Sequence, residues 1–254
     1  MPSKVFLGIA GRLLGRFEDL LYPRGTTGED YLQHYSREFN TIELSDSDLR
    51  AVGRKGVERF LSSTPAGFRF AVSRHLELER NWDGEIAELR EMVGPLADAR
   101  KLGAVIVELP SWFQYAAASR KRLAALCETM KDLPLAISFH RRDWYRKPVV
   151  AGLRERGVAL VSEETDTPDN AAMPAHAVVT APFAYFRFMG RHRRHHLRRV
   201  NQYYEECRYS PEELAPWADR ISSISGWAQV YALFQHRKDA SAVYSARLLR
   251  RLMG

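Results

Sequence analysis

Eight short, continuously apolar runs recur along this chain, and a segment with helical spacing follows most of them. That alternation limits the possible folds more than any other feature. The runs are Lys4–Ala10, Asn40–Leu44, Phe68–Ser73, Ala104–Leu109, Leu135–Phe139, Val158–Ser162, Phe183–Phe188 and Ala228–Phe234. None alternates apolar with polar residues like a strand with one wet face, so each is expected to be covered on both sides. Strands of that kind, separated by helices, build a parallel sheet. Helices are expected at Gly28–Glu38, Val52–Ser63, Asp83–Arg100, Ser119–Lys131, Pro148–Arg156 and Ala240–Met253. Another opens at Ser210-Pro211-Glu212-Glu213 and runs to about Ile221: Ser210 caps, Pro211 takes the first helical position and Glu213 completes a capping box. Gly157 suits the C-cap of the helix before the sixth strand. A length of 254 residues matches a closed (β/α)8 barrel. The expectation is therefore one TIM-type α/β barrel domain over residues 1–254, with an open doubly wound sheet as the alternative.

Charge is concentrated just beyond the seventh run. The segment Phe183–Arg199 reads FAYFRFMGRHRRHHLRR, and Arg191, Arg193, Arg194, Arg198 and Arg199 carry most of the formal net charge of +7. The guanidinium fork matches phosphate and carboxylate geometry, so an anion-facing segment stands beside the simpler reading of a solvated loop. Leu197, Val200, Tyr204 and Cys207 have the spacing of one helical face, which points to a short amphipathic helix there. A pI near 9.5 favours polyanionic or phosphorylated partners. Cys127 and Cys207 form neither a disulfide framework nor a zinc pattern; Cys127 fits a helix core, and a reducing cytoplasm is the expected location. No stretch reaches the roughly 20 apolar residues of a membrane span. The chain lacks GxGxxG, GxxxxGK[ST], HExxH and GxSxG, which removes the usual signs of dinucleotide, nucleoside-triphosphate, zincin and serine-hydrolase chemistry.

The order of local signatures resembles the YecE-like proteins, a domain-of-unknown-function family. The matching pieces are LGIAG at Leu7, LYPRG at Leu21, YLQHYSREFNTIEL at Tyr31, TPAGFRFAV at Thr64, ELPSWF at Glu108, SFHRRDW at Ser138, RGVALV at Arg156, YFRFMGR at Tyr185 and YSPEELAPWADRI at Tyr209. The resemblance implies a TIM-like barrel and brings no settled activity, although nucleic-acid binding is one suggestion for the family. The departures gather at strand ends. The family's opening GTSGW is Gly8-Ile9-Ala10-Gly11-Arg12 here, and its EINSTFY keeps Glu43 but little else. EFRHxSW becomes Ser138–Trp144 with the carboxylate gone, RxHG becomes Arg187–Gly190, and FNN becomes Phe234-Gln235-His236. Barrel enzymes place their chemistry at the C-terminal ends of strands, so the scaffold is kept while the rim is rewritten.

Catalytic candidates at that rim are Glu43, Glu108, His140 and His236, as a carboxylate pair and two groups able to exchange protons near neutral pH. For Glu43, a salt bridge to Arg187 or Arg74 is the favoured reading over general base. Ligand-binding candidates are Arg141, Trp144, Arg187, Arg191, Arg193, Arg194 and Gln235. Glu43, Glu108, Glu163, His140 and His236 could offer metal ligands, as could His192, His195 and His196, but the interleaved arginines argue against a cation; no metal is expected, and cofactors stay open. The leading reading is a barrel that binds a small anionic or phosphorylated ligand at its C-terminal rim. The alternatives are a nucleic-acid binder using Arg191–Arg199, with Trp112, Phe113, Tyr115, Trp144, Tyr145, Tyr203 and Tyr204 available for stacking, or a catalytically inactive scaffold.

Overall fold

The computed structural model describes residues 4–11, 20–26, 30–76, 82–164, 178–190, 193–197, 202–206, 208–235 and 239–254. Eight parallel strands close into a barrel: β1 (Val5–Ala10), β2 (Thr41–Ser45), β3 (Arg69–His75), β4 (Leu102–Leu109), β5 (Leu135–Phe139), β6 (Ala159–Glu164), β7 (Phe183–Phe188) and β10 (Gln229–Phe234). Each pairs with its sequence neighbours, and β10 closes the ring between β7 and β1. Helices α1 (Tyr31–Glu38), α2 (Asp46–Ser63), α3 (Trp82–Asp98), α4 (Ala117–Thr129), α5 (Lys147–Glu155), α6 (Pro211–Ser225) and α7 (Asp239–Met253) alternate with the strands. Every apolar run expected to be a strand is one, and the closed barrel rather than the open sheet is formed.

The pleat sorts each strand into two columns. Outward residues such as Ile42, Val105, Val107, Ile137, Phe186 and Phe188 join the large core beneath the helices. Inward residues form a second core, in which Ala71, Ala104, Ala136 and Ala159 line one side of the barrel. The space they leave is filled from the other side by Phe6, Phe183, Tyr185 and Tyr231, with Tyr231 stacked 4.7 Å from Phe6 and 5.8 Å from Tyr185. Small residues on one wall thus admit large rings from the other, as close packing demands.

Gly8 marks a close approach between β1 and β2. A Cβ there would meet the Thr41 carbonyl oxygen at 1.9 Å and the Tyr35 hydroxyl at 2.8 Å. Neither can yield, because that hydroxyl donates to the Thr41 oxygen and accepts from the Ile9 amide. Gly8→Ala should therefore lower stability by roughly 3 kcal/mol, read as a fall in thermal midpoint; an unchanged midpoint would remove this account of the glycine.

Two expectations change. The helix expected over Val52–Ser63 begins earlier, at Asp46, through a capping box: the Asp48 amide donates to Ser45 Oγ and the Ser45 amide to the Asp48 carboxylate. Gly53, at φ +61°, interrupts the helix beyond it. The second change is larger. The amphipathic helix expected over Leu197–Cys207 is replaced by an antiparallel hairpin of β8 (Arg193–Leu197) and β9 (Gln202–Glu206). Its register sets Arg193 opposite Glu206 and Arg194 opposite Glu205. The caps at Ser210 and Gly157 are formed as expected, with Gly157 at φ +63°.

Candidate functional site

The pleat that builds the core also builds the barrel mouth. On β7 the inward column runs Phe183, Tyr185, Arg187; on β4 it is Ala104, Ile106, Glu108; on β6 it is Ala159, Val161, Glu163. Each strand therefore fills the barrel with apolar groups and ends its inward column with a charge. Register then brings the charges together: Glu163 lies beside Arg187, and His75 of β3 beside Glu108.

Arg187, 2% exposed, is held by three carboxylates. Its Nη2 donates to Glu43 Oε1 at 2.5 Å and its Nε to Glu43 Oε2 at 3.1 Å, a two-pronged contact. Its Nη1 lies 2.8 Å from Glu108 Oε1 and 3.4 Å from Glu163 Oε1. Tyr185 donates its hydroxyl to Glu43 Oε2 at 2.7 Å, and Ser138 donates to Glu163 Oε1 at 2.8 Å. Burial opposes the charge on Arg187, but Glu43, Glu108 and Glu163 together hold its pKa well above the ordinary value. Burial likewise pushes Glu108 up, yet Arg187 beside it, with His140 and His75, keeps its carboxyl below the usual range. Burial and the Glu43 charge drive the Tyr185 phenol well above its ordinary value.

The salt-bridge reading of Glu43 is the one the geometry supports, with Arg187 as partner. Arg74 points the other way, to Asp46, Glu85 and Glu88 on α2 and α3. Glu108 is the carboxylate that reaches the open side of the mouth, where His140 Nε2 lies 4.0 Å from its Oε2. Gln235, just after β10, accepts no hydrogen bond at its buried Oε1 among the described residues. Arg141 sits lower in charge than the sequence suggested, because Asp143 neutralises it at 3.2 Å. His236 and Arg191 lie outside the described residues, and for Arg193 and Arg194 only the strand positions are described.

Trp144 requires a correction. Expected at the rim as a ligand contact, it is 1% exposed and stacks between Phe139 at 4.9 Å and Phe113 at 5.1 Å. Its indole N–H donates to the Phe113 carbonyl at 2.6 Å. A ring so enclosed pins the loop after β4 to the loop after β5 and offers no face to a ligand. Phe113, one of the stacking candidates, is buried with it.

Sequence reasoning missed three members of the site. Tyr185 and Ser138 buttress the carboxylates, and His75 lies at the lip, its ring 6.2 Å from that of His140. The inward alternation Ala71, Ser73, His75 was the available signal, hidden by ending the third strand at Ser73.

A family model described as "Protein of unknown function DUF72" matches residues 8–254. The UPF0759 protein YunF of Bacillus subtilis is 22% identical over 272 residues, covering 98% of this chain and 94% of its own length. Among solved structures, a DUF72 family protein from Thermotoga maritima superposes with a TM-score of 0.81 at 22% identity, covering 98% of each chain. A xylose isomerase-like TIM barrel protein from Mycobacterium smegmatis, described in complex with magnesium, superposes at 0.56 with 14% identity and 98% coverage of each chain. At these identities the two structures speak for the fold alone.

Proposed function

The chain belongs to the DUF72 family, and within that frame we propose that it works as one barrel domain binding a small hydroxyl-bearing ligand at its C-terminal mouth, where Glu108 and His140 exchange protons with it. The observation that carries this reading is the four-residue ion cluster: one guanidinium faces three carboxylates, so the floor of the mouth holds a formal surplus of two negative charges. Such a floor offers acceptors, which suit the hydroxyls of a sugar or polyol. A phosphorylated form of that ligand needs positive charge from elsewhere on the rim. Arg191, Arg193 and Arg194 are the residues for that task, since Arg187 and Arg141 are already neutralised. Cys127 is buried, and burial pushes its thiol up to about 11, which makes it a packing residue rather than a reactive thiol. Among the described residues no helix is long and apolar enough to cross a membrane.

The test is calorimetric titration with sorbitol and sorbitol 6-phosphate, beside turnover assays on p-nitrophenyl glycosides and phosphates. Glu108→Gln and His140→Ala should abolish turnover and weaken both ligands. An Arg193→Ala, Arg194→Ala double variant should weaken only the phosphorylated ligand. If neither class binds, or Glu108→Gln behaves as wild type, the reading fails. Glu43→Gln separates a strut from a base. It should cost about 2 kcal/mol of stability while leaving activity per folded molecule intact.

The hairpin β8–β9 supports a second reading, nucleic-acid binding, because it carries Arg193 and Arg194 and follows directly on β7, whose end forms part of the mouth. Its test is the salt dependence of oligonucleotide binding, with a log–log slope of roughly −0.7 to −0.9 per phosphate contacted. Weak binding at physiological salt is the expected result, since a few arginines contact few phosphates and affinity of this kind falls steeply with salt. Tight binding that the double variant loses, together with part of the slope, would favour nucleic acid over a small ligand.

A further inference from the structure

We propose that His75, Glu108 and His140 form a binding site for a divalent transition-metal ion, with zinc as its best fit, at the open lip of the barrel. One ligand atom from each residue lies within 4.8 Å of the other two. The three come from neighbouring strand ends, β3, β4 and the residue just past β5, so the sheet itself sets their spacing. His75 and Glu108 are register partners, and His140 stands two residues beyond Ser138, the partner of Glu108.

A tetrahedral ion with bonds of about 2.0–2.1 Å holds its ligand atoms roughly 3.3 Å apart. The group must therefore contract by at most about 1.5 Å. The imidazoles are free to make that move, since His75 and His140 are exposed side chains on strand ends rather than packed in the core. Glu108 is less mobile and already aimed. Arg187 Nη1 holds its Oε1 at 2.8 Å, which leaves Oε2 turned toward His140. This is the outer contact that orients a ligating carboxylate.

Charge favours the ion as well. Two of the three arginines that the sequence set against a cation are spent: Arg187 is outnumbered by Glu43, Glu108 and Glu163, and Arg141 is paired with Asp143, while Arg191 lies outside the described residues. A divalent ion cancels the formal surplus of two negative charges in the cluster. Two imidazoles and one carboxylate suit zinc and its transition-metal neighbours, whereas magnesium prefers an oxygen shell. Three protein ligands leave the fourth position for water, the arrangement of a catalytic rather than a structural zinc site. This inference rests on the lip geometry and does not depend on the ligand class above; with an ion bound, Glu108 and His140 would hold it, and ion-bound water would take the proton-exchanging place assigned to them in the metal-free mouth.

The test is titration of chelator-treated full-length protein with zinc sulfate by calorimetry, and with cobalt(II) by visible absorption. Wild type should bind one ion per chain at this site and gain thermal stability with added zinc. His75→Ala and His140→Ala should each weaken binding by about 100-fold or more, at or beyond the upper end of what removing an outer-contact residue costs, and abolish the cobalt bands. Both side chains are exposed, so circular dichroism and the metal-free midpoint should be unchanged. A His192→Ala, His195→Ala, His196→Ala triple variant should bind as wild type, separating this site from the histidines of the basic segment. Absence of saturable binding, or binding that survives in His75→Ala and His140→Ala, overturns the proposal.

Discussion

Arg187→Met should lower folding stability by about 3–5 kcal/mol at neutral pH, the cost of leaving buried charge without its partner. Arg187 is the common counter-ion of Glu43, Glu108 and Glu163, and methionine fills similar volume without charge. The loss should shrink in acid, and the sign follows from Glu108. In the native protein its carboxyl is held below the ordinary value, chiefly by Arg187 against the effect of burial. A depressed carboxyl stabilises the fold above its unfolded pKa, and that contribution is lost as pH falls through the folded pKa. Without the guanidinium, only His140 and His75 oppose the effect of burial on Glu108, its carboxyl rises, and the variant gains relative stability as it takes up a proton. Wild type and Arg187→Met should therefore differ most near pH 7 and converge below about pH 4. Urea melts across that range would measure it. A difference that stays constant with pH would mean that methionine acts through packing alone.

Trp144→Ala should cost about 3–5 kcal/mol through the cavity left by a large buried ring. For a chain of this size that is roughly 10 °C or more in thermal midpoint. The effect should also reach the mouth. Trp144 is stacked between Phe139 and Phe113 and hydrogen-bonded to the Phe113 carbonyl, so it clamps the segment that carries His140 and Arg141 against the loop after β4. Faster amide exchange at residues 110–115 and 140–146 is the expected signature, alongside weaker zinc binding. Trp144→Phe should recover most of the packing but lose the hydrogen bond, at about 1 kcal/mol. Stability close to wild type in Trp144→Ala would return the ring to the rim as a ligand contact.

The barrel was legible because its causes are local. An apolar run such as Ala104–Leu109 and the helical spacing of Ile86, Leu89, Val93 and Leu96 each report burial within a few residues, and the buried positions follow them. Ser210 and Glu213 cap α6 for the same reason: both partners lie within one turn. The capping box at Ser45 was just as local, and only the aspartate at the position usually held by glutamate concealed it.

The chemistry of the mouth follows a different logic. Glu43 and Arg187 are 144 positions apart, and the sequence names both without saying that they meet. Whether Arg187 serves as an anion receptor or as the hub of three carboxylates depends on which inward columns end at the same height. Closure and stagger of eight strands decide that, and no single strand carries the information. His75 was missed and Trp144 misplaced because one residue of strand length, or one stacked neighbour, decides whether a side chain faces the mouth or the core. The spacing of Leu197, Val200, Tyr204 and Cys207 pointed to a helix, while pairing of the run RRHHL with the run QYYEE made strands of both. Residue type and short-range periodicity thus determined the scaffold and the list of charged groups at its rim. Long-range register decided which charges cancel, leaving surplus carboxylate among the described residues of the mouth where composition alone had suggested a basic one.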